Sequence, residues 1–397
     1  MKSLFILFIG SGLGLLSNII ISVFFEVEEY GNVLSNLNLC VIFSIVMNFG
    51  IPAFFIANKK YYERNIEKVL SFLAVLNFLV VMMLLIFLKQ SEYLYILFYL
   101  INVFVMYHIL FYQIDMDSDA IARTQILPSA VKFVGSLVVL TAVLFGWGGG
   151  KEQFYLAGMS FACFAIFIYT FKPSKVSDLS LRLVIDGFLF IWSEKRRLYD
   201  FYSSSILAIV YSLAMLPLAK YYWSGSASSY LGLYMIYWSI INIVITALIN
   251  NRILPSYSNA IANNDVELER KLLVKVIWTG LSIFAFAAIL VIISSFFAEH
   301  LWSKYSNIEI FVLFASVPLS IRPLSASFGM LANFHDLIRW KARVQLFVFI
   351  VMFLTFALHE PTNIINSILT LLYVVEILLF CCYFALTYKR FYKVLVM

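Results

Sequence analysis

Apolar residues in this chain neither alternate nor recur at helical spacing; they run together for about twenty positions at a time and are parted by short polar breaks. A helix needs about that many apolar residues to cross roughly 30 Å of hydrocarbon. The pattern predicts twelve spans, at roughly 3–25, 31–57, 69–88, 94–113, 126–146, 154–171, 200–223, 230–251, 272–298, 308–333, 344–358 and 364–388. The one long break, 172–199, divides them six and six. The expected architecture is an all-α polytopic membrane protein with twelve transmembrane helices in two pseudo-symmetric six-helix bundles. Residues 1–171 would form the N-terminal bundle and 172–199 a cytoplasmic interfacial linker. Residues 200–397 would form the C-terminal bundle with a short cytoplasmic tail.

Composition excludes a soluble domain: the chain is 63% hydrophobic and 13% charged, too little charge to cover a water-facing surface. The first run, Leu4–Phe25, is too long for a signal-peptide core and lacks a small-residue cleavage site, so it is expected to be a span. Of the 28 Lys and Arg, 22 fall in breaks on one side of the expected topology and 4 on the other. That asymmetry predicts both termini in the cytoplasm. It also accounts for the net charge of +6 without a nucleic acid partner. Cys40, Cys163, Cys381 and Cys382 all lie in apolar runs without metal-ligand spacing, and no metal or cofactor is expected. Gly148–Lys151 lacks the upstream glycine and following Ser/Thr of a phosphate loop. No catalytic constellation stands out, and the chain is not expected to be an enzyme.

The remaining two basic residues, Lys132 and Arg322, sit inside spans. Arg322 lies near the middle of 308–333 between Pro318 and Pro323. An arginine at that depth costs about 2.5–3.5 kcal/mol, which leaves two readings: it lines a pathway for something anionic, or it pairs with a carboxylate on another span. Lys132 could join it in a cavity or snorkel to the interface. Asn18, Asn77, Asn102 and Asn242 offer in-span hydrogen bonding; Asn18 and Asn242 join Lys132 and Arg322 as the candidate substrate-binding set. Glu376, in the last span, could carry a coupling proton or be the structural partner of Arg322 or Lys132. His108 is the second candidate ion-coupling residue, though a lone histidine there is more often a packing residue. Asp115, Asp117 and Asp119 could form a cation site at the inner mouth or a solvated loop. Gly10 and Gly14 make a GxxxG packing signal. Leu179–Trp192 is too short to span and reads as an amphipathic interfacial helix, anchored by Trp192 and Lys195-Arg196-Arg197, that either contacts lipid headgroups or tethers the halves.

Several segments recur in the two halves. Tyr30-Gly31 matches Tyr230 to Gly232, and Asn48 to Pro52 matches Arg252 to Pro255 with Asn263 and the run Asp265–Lys271. With the tenth span (Pro318, Arg322-Pro323, Gly329 to Asn333), these segments resemble polysaccharide or O-antigen flippases of the Wzx type. That family shares a superfamily with MATE multidrug exporters and lipid II flippases. The resemblance implies a cavity opening to either side and alternating access by rocking of the two bundles. The implied cargo is an undecaprenyl-pyrophosphate-linked oligosaccharide, an O-antigen or capsule repeat unit, moved across a bacterial inner membrane. Arg322, with its planar donor fork, would meet the pyrophosphate. Expected partners are that lipid-linked oligosaccharide, membrane lipids, polysaccharide-assembly enzymes and a coupling proton or sodium ion. Two alternatives stay open: an ion-coupled small-molecule exporter of MATE type, and a membrane-embedded polysaccharide polymerase. The polymerase is disfavoured because every expected outer loop is short.

Overall fold

The computed structural model describes residues 2–48, 51, 59–87, 93–114, 118–147, 149–170, 180–196, 198–199, 202–203, 206–207, 213–245, 248–249, 253–263, 265–332 and 337–396. Regular structure among these residues is helical. The first half contributes α1 (Lys2–Phe24), α2 (Val27–Val46), α3 (Lys59–Phe87), α4 (Leu94–Ile114), α5 (Ser118–Leu144), α6 (Lys151–Thr170) and the short α7 (Leu181–Ser193). The second contributes α8 (Met215–Tyr222), α9 (Gly225–Ile245), α10 (Leu254–Ala262), α11 (Val266–Leu301), α12 (Ile308–Leu331), α13 (Ile338–Leu358) and α14 (Ile364–Val396). Seven helices among the described residues are long and apolar enough to cross a membrane, and Phe8–Phe24 and Leu94–His108 are shorter apolar helices. The chain is therefore a polytopic helical protein; the number twelve remains the expectation of the sequence.

Several helices outrun the stretches expected from hydropathy. α3 begins at Lys59, ten residues before the expected span, and α11 at Val266, six before it. Both extensions are rich in Lys, Arg and Glu, which are good helix formers but poor hydrocarbon residues. Asp265 caps α11, its side chain accepting from the Leu268 amide at 3.0 Å, and Glu267 and Glu269 in the first turn suit the positive end of the helix dipole.

The helices gather into two compact units. Unit 1 comprises residues 1–25 and 35–214, and unit 2 comprises residues 26–34 and 215–397. The division falls at 214 and inside α2. In unit 1, α1 and α5 pack closely because small residues line the seam. A Cβ on Gly10 would collide with Ile126, and one on Gly14 would lie 3.1 Å from Ser129 Oγ. One turn further, Ser17 and Ser136 share a 2.6 Å hydroxyl bond. The GxxxG signal is thus a helix–helix seam. Asn77 is buried and committed: its amide donates to the Tyr107 hydroxyl at 3.0 Å and its carbonyl accepts from Tyr99. Asn102 donates to the Phe98 carbonyl one turn back at 2.7 Å.

In unit 2, the start of α2 lies on α9. A Cβ on Gly31 would strike the Gly225 carbonyl, and one on Gly232 would come within 3.0 Å of the Tyr30 ring. The two Tyr/Gly segments that match each other in sequence are therefore in direct contact. α12 packs on α11 through Gly280 and Ser327, and on α14 through Gly329 and Tyr383. The expected interfacial segment is a real helix, α7, capped by Ser180, and it clusters with unit 1. Arg197, Asp115 and Asp117 lie outside the described residues.

A candidate charged site within the membrane helices of unit 2

Arg322 stands fourteen residues into α12, about 21 Å along it, and Glu376 stands twelve residues into α14, about 18 Å along it. The two helices pack together at matching depth. Arg322 Nη1 lies 3.0 Å from Glu376 Oε1, with 4% and 0% of the two side chains exposed. The carboxylate reading for Arg322 is therefore the one the geometry realises, and Glu376 is its partner. Tyr234 on α9 donates its hydroxyl to the same Oε1 at 3.3 Å. The guanidinium lies over the Trp238 ring at 4.2 Å and near the Tyr234 ring at 5.8 Å, close enough for cation–π attraction. Glu376 Oε2 has no hydrogen-bond partner among the described residues.

The prolines explain how α12 carries this charge. Pro318 has no amide to give the Phe314 carbonyl one turn back. The Tyr373 hydroxyl of α14 donates to that carbonyl at 3.0 Å, so the gap in the helix ladder is filled by the same neighbour that supplies Glu376. Ser320 and Ser327 return their hydroxyls to the carbonyls of Ser316 and Pro323, at 2.6 and 2.8 Å.

Along α9, Tyr234, Trp238 and Asn242 follow one another at four-residue spacing and share a face. Tyr234 is buried, Trp238 half-buried and Asn242 exposed. Asn242 thus sits at the open end of a face whose buried end touches Arg322 and Glu376. Tyr234 and Trp238 were not singled out in the sequence. The signal was the need of a buried guanidinium for a π face, but with 24 Tyr and 7 Trp it pointed at no particular ring.

The other candidates lie in unit 1. Lys132 on α5 is half-buried, with Nζ 5.3 Å above the Phe98 ring of α4. No ion pair among the described residues engages it. Its own carbonyl accepts from Ser136, the residue bonded to Ser17, so Lys132 and Asn18 border the same α1–α5 seam. Asn18 is half-buried, and its Oδ1 has no hydrogen-bond partner among the described residues. His108 stacks on Phe104 at 3.9 Å and donates from Nδ1 to the Phe104 carbonyl at 3.1 Å. It belongs to a different unit from Glu376. Among the described residues no group of His, Cys, Asp and Glu could hold a metal ion.

Tyr234→Phe tests the pair without touching its charges. It should cost about 1.5 kcal/mol, the low end for a hydrogen bond to a charged group. Thermal unfolding in detergent reads the loss, and it should shrink when Glu376 is already replaced by Gln, whose amide oxygen still accepts but carries no charge.

No family model matches the chain, and no curated protein matches it in sequence. Solved structures do. One is a multidrug resistance MATE family transporter of the MOP superfamily in an inward-facing conformation, with TM-score 0.61 and 10% identity over 99% of this chain and 95% of that one. Another is a variant of the Vibrio cholerae MATE transporter VcmN, with TM-score 0.55 and 13% identity over 99% and 95%. The likeness is one of fold to these MATE transporters and does not single out the polysaccharide flippases. Across its whole length, the chain has the fold of MATE family transporters of the MOP superfamily.

Proposed function

We propose that this chain is an exporter working by alternating access. The observation that supports this most is the likeness to solved transporters along 99% of the chain. The first of those proteins is described as a multidrug resistance transporter, which favours a small-molecule exporter. In that reading the site is the face of α9 that runs from exposed Asn242 through Trp238 to the Arg322–Glu376 pair. The aromatic rings would take the flat, apolar part of the cargo. The pair carries no net charge while both groups are ionised. A proton delivered to Glu376, through the unpartnered Oε2, leaves the guanidinium uncompensated, so the site can hold an anion or release a cation. A cationic cargo would then compete with the proton for one carboxylate, and an anionic cargo would bind together with it.

A second reading, export of a lipid-linked oligosaccharide, is favoured by Lys132. A lysine inside a span with an aromatic ring beneath it and no ion pair among the described residues is a standing positive charge suited to a pyrophosphate.

One experiment separates the two. The gene is deleted in its bacterium and restored as wild type, Lys132→Ala or Arg322→Ala, with membrane levels of the protein measured for each. A small-molecule exporter predicts greater sensitivity to cationic drugs, with surface polysaccharide unchanged. An oligosaccharide flippase predicts loss of surface polysaccharide, with lipid-linked units held on the cytoplasmic face and Lys132→Ala defective. Neither phenotype, with protein present, overturns both.

A further inference from the structure

α7 has thirteen residues, about 20 Å of helix, too short to cross a bilayer. It is apolar on two faces. The first face packs on α3: Gly187 closes on the Lys68 carbonyl and on Phe72, and Phe190 and Ile191 join the cluster of Val69, Leu73 and Leu198. The second face carries Leu181, Ile185, Phe188, Leu189 and Trp192, at spacings of four, three, one and three, each between 47 and 76% exposed. From this stripe Phe188 touches α3, through a ring contact with Phe72 at 5.9 Å. The depth of α7 follows from α3. From Lys68, where Gly187 sits, to Ile86 at the far end of the apolar span is eighteen residues, about 27 Å. That is close to the thickness of the hydrocarbon, so α7 lies at the level of one membrane boundary. Basic residues flank the stripe. Arg182, Lys195 and Arg196 are exposed, and Lys195 Nζ lies 4.0 Å over the Trp192 ring; the acidic residues of the segment, Asp186 and Glu194, are half-buried.

We infer that α7 is a docking surface for anionic phospholipid. Its apolar stripe enters the leaflet at the N-terminal end of α3, while Lys195 and Arg196 hold headgroup phosphates. A tryptophan whose ring supports a lysine at the edge of an apolar stripe suits this boundary, where one end of the ring is dry and the other wet. α3, the helix that carries α7, itself exposes Phe78, Leu79, Met82, Met83 and Ile86 along its apolar span, which argues for lipid over a soluble partner. The inference concerns a surface apart from the cargo site and stands whichever cargo is carried.

The test uses the full chain in vesicles of phosphatidylcholine with one part of phosphatidylglycerol. A nitroxide is placed at Ile185→Cys after the native cysteines are replaced. The inference expects collisions with oxygen to exceed collisions with a water-soluble nickel complex. A label open to nickel, or shielded from both by a bound protein, overturns it. In the unlabelled chain with its cysteines intact, native mass spectrometry counts retained phosphatidylglycerol against phosphatidylcholine. Each basic residue at an anionic surface contributes roughly fivefold, so Lys195→Ser with Arg196→Ser should reduce the enrichment by about twenty-five-fold. Unchanged enrichment overturns the assignment of the headgroup contacts.

Discussion

Arg322→Ala destabilises unit 2 by about 3–5 kcal/mol, because it leaves Glu376 as a buried charge with no counter-ion. The loss appears as a lower unfolding midpoint in detergent and less protein in the membrane. Replacing both partners with apolar residues of similar size, Arg322→Met with Glu376→Met, should regain most of it. A pair matched in desolvation and attraction contributes little net stability, whereas a half-pair is costly. The double variant should therefore fold yet fail to export, since nothing remains at the site to answer cargo or proton. Arg322→Lys is expected to fall between, keeping the charge but losing the planar contact with Trp238. A double variant as unstable as the single one would mean that the two residues do not act as a pair.

Gly31→Ala and Gly225→Ala should each cost at least about 2 kcal/mol, in the range for overpacking a tight contact. The atoms that a new methyl at Gly31 meets include the Gly225 carbonyl and the Ser229 amide, and backbone cannot turn aside as a side chain does. At Gly225 the methyl would come within 2.6 Å of Glu28 Cγ and 3.1 Å of the Glu28 carbonyl. Both substitutions open the same α2–α9 seam, so the double variant should cost less than the sum. Gly12 is the control. It lies on α1 with open space where its Cβ would be, so Gly12→Ala should be neutral or stabilising by up to about 1 kcal/mol. Unfolding midpoints of the four variants decide the matter.

The helices were legible in the sequence because hydrocarbon imposes length and apolarity directly. Their true ends were not, as α3, α11 and α14 continue on charged residues that leave the membrane without leaving the helix. Arg322 and Glu376 were legible one by one as charges at depth. Their pairing was only one of two readings, since it depends on the register of α12 against α14, which hydropathy does not carry. The seam of Gly10 and Gly14 could be read because both glycines lie on one helix. The seam of Gly31 and Gly225 could not, because its two members are 194 residues apart. The same reason hid the division inside α2. A continuous apolar helix gives no sign that its first turns belong with α9 and its remainder with unit 1.

The claim that most needs testing is alternating access, and it can be tested before the cargo is known. With the four native cysteines replaced, Asn242→Cys is labelled by a membrane-impermeant maleimide in right-side-out and in inverted vesicles. Labelling from both faces, with each rate falling as the other face is favoured by a proton gradient, is the predicted result. Labelling from one face alone, or from neither, would contradict a pathway that passes Asn242 and opens to each side in turn.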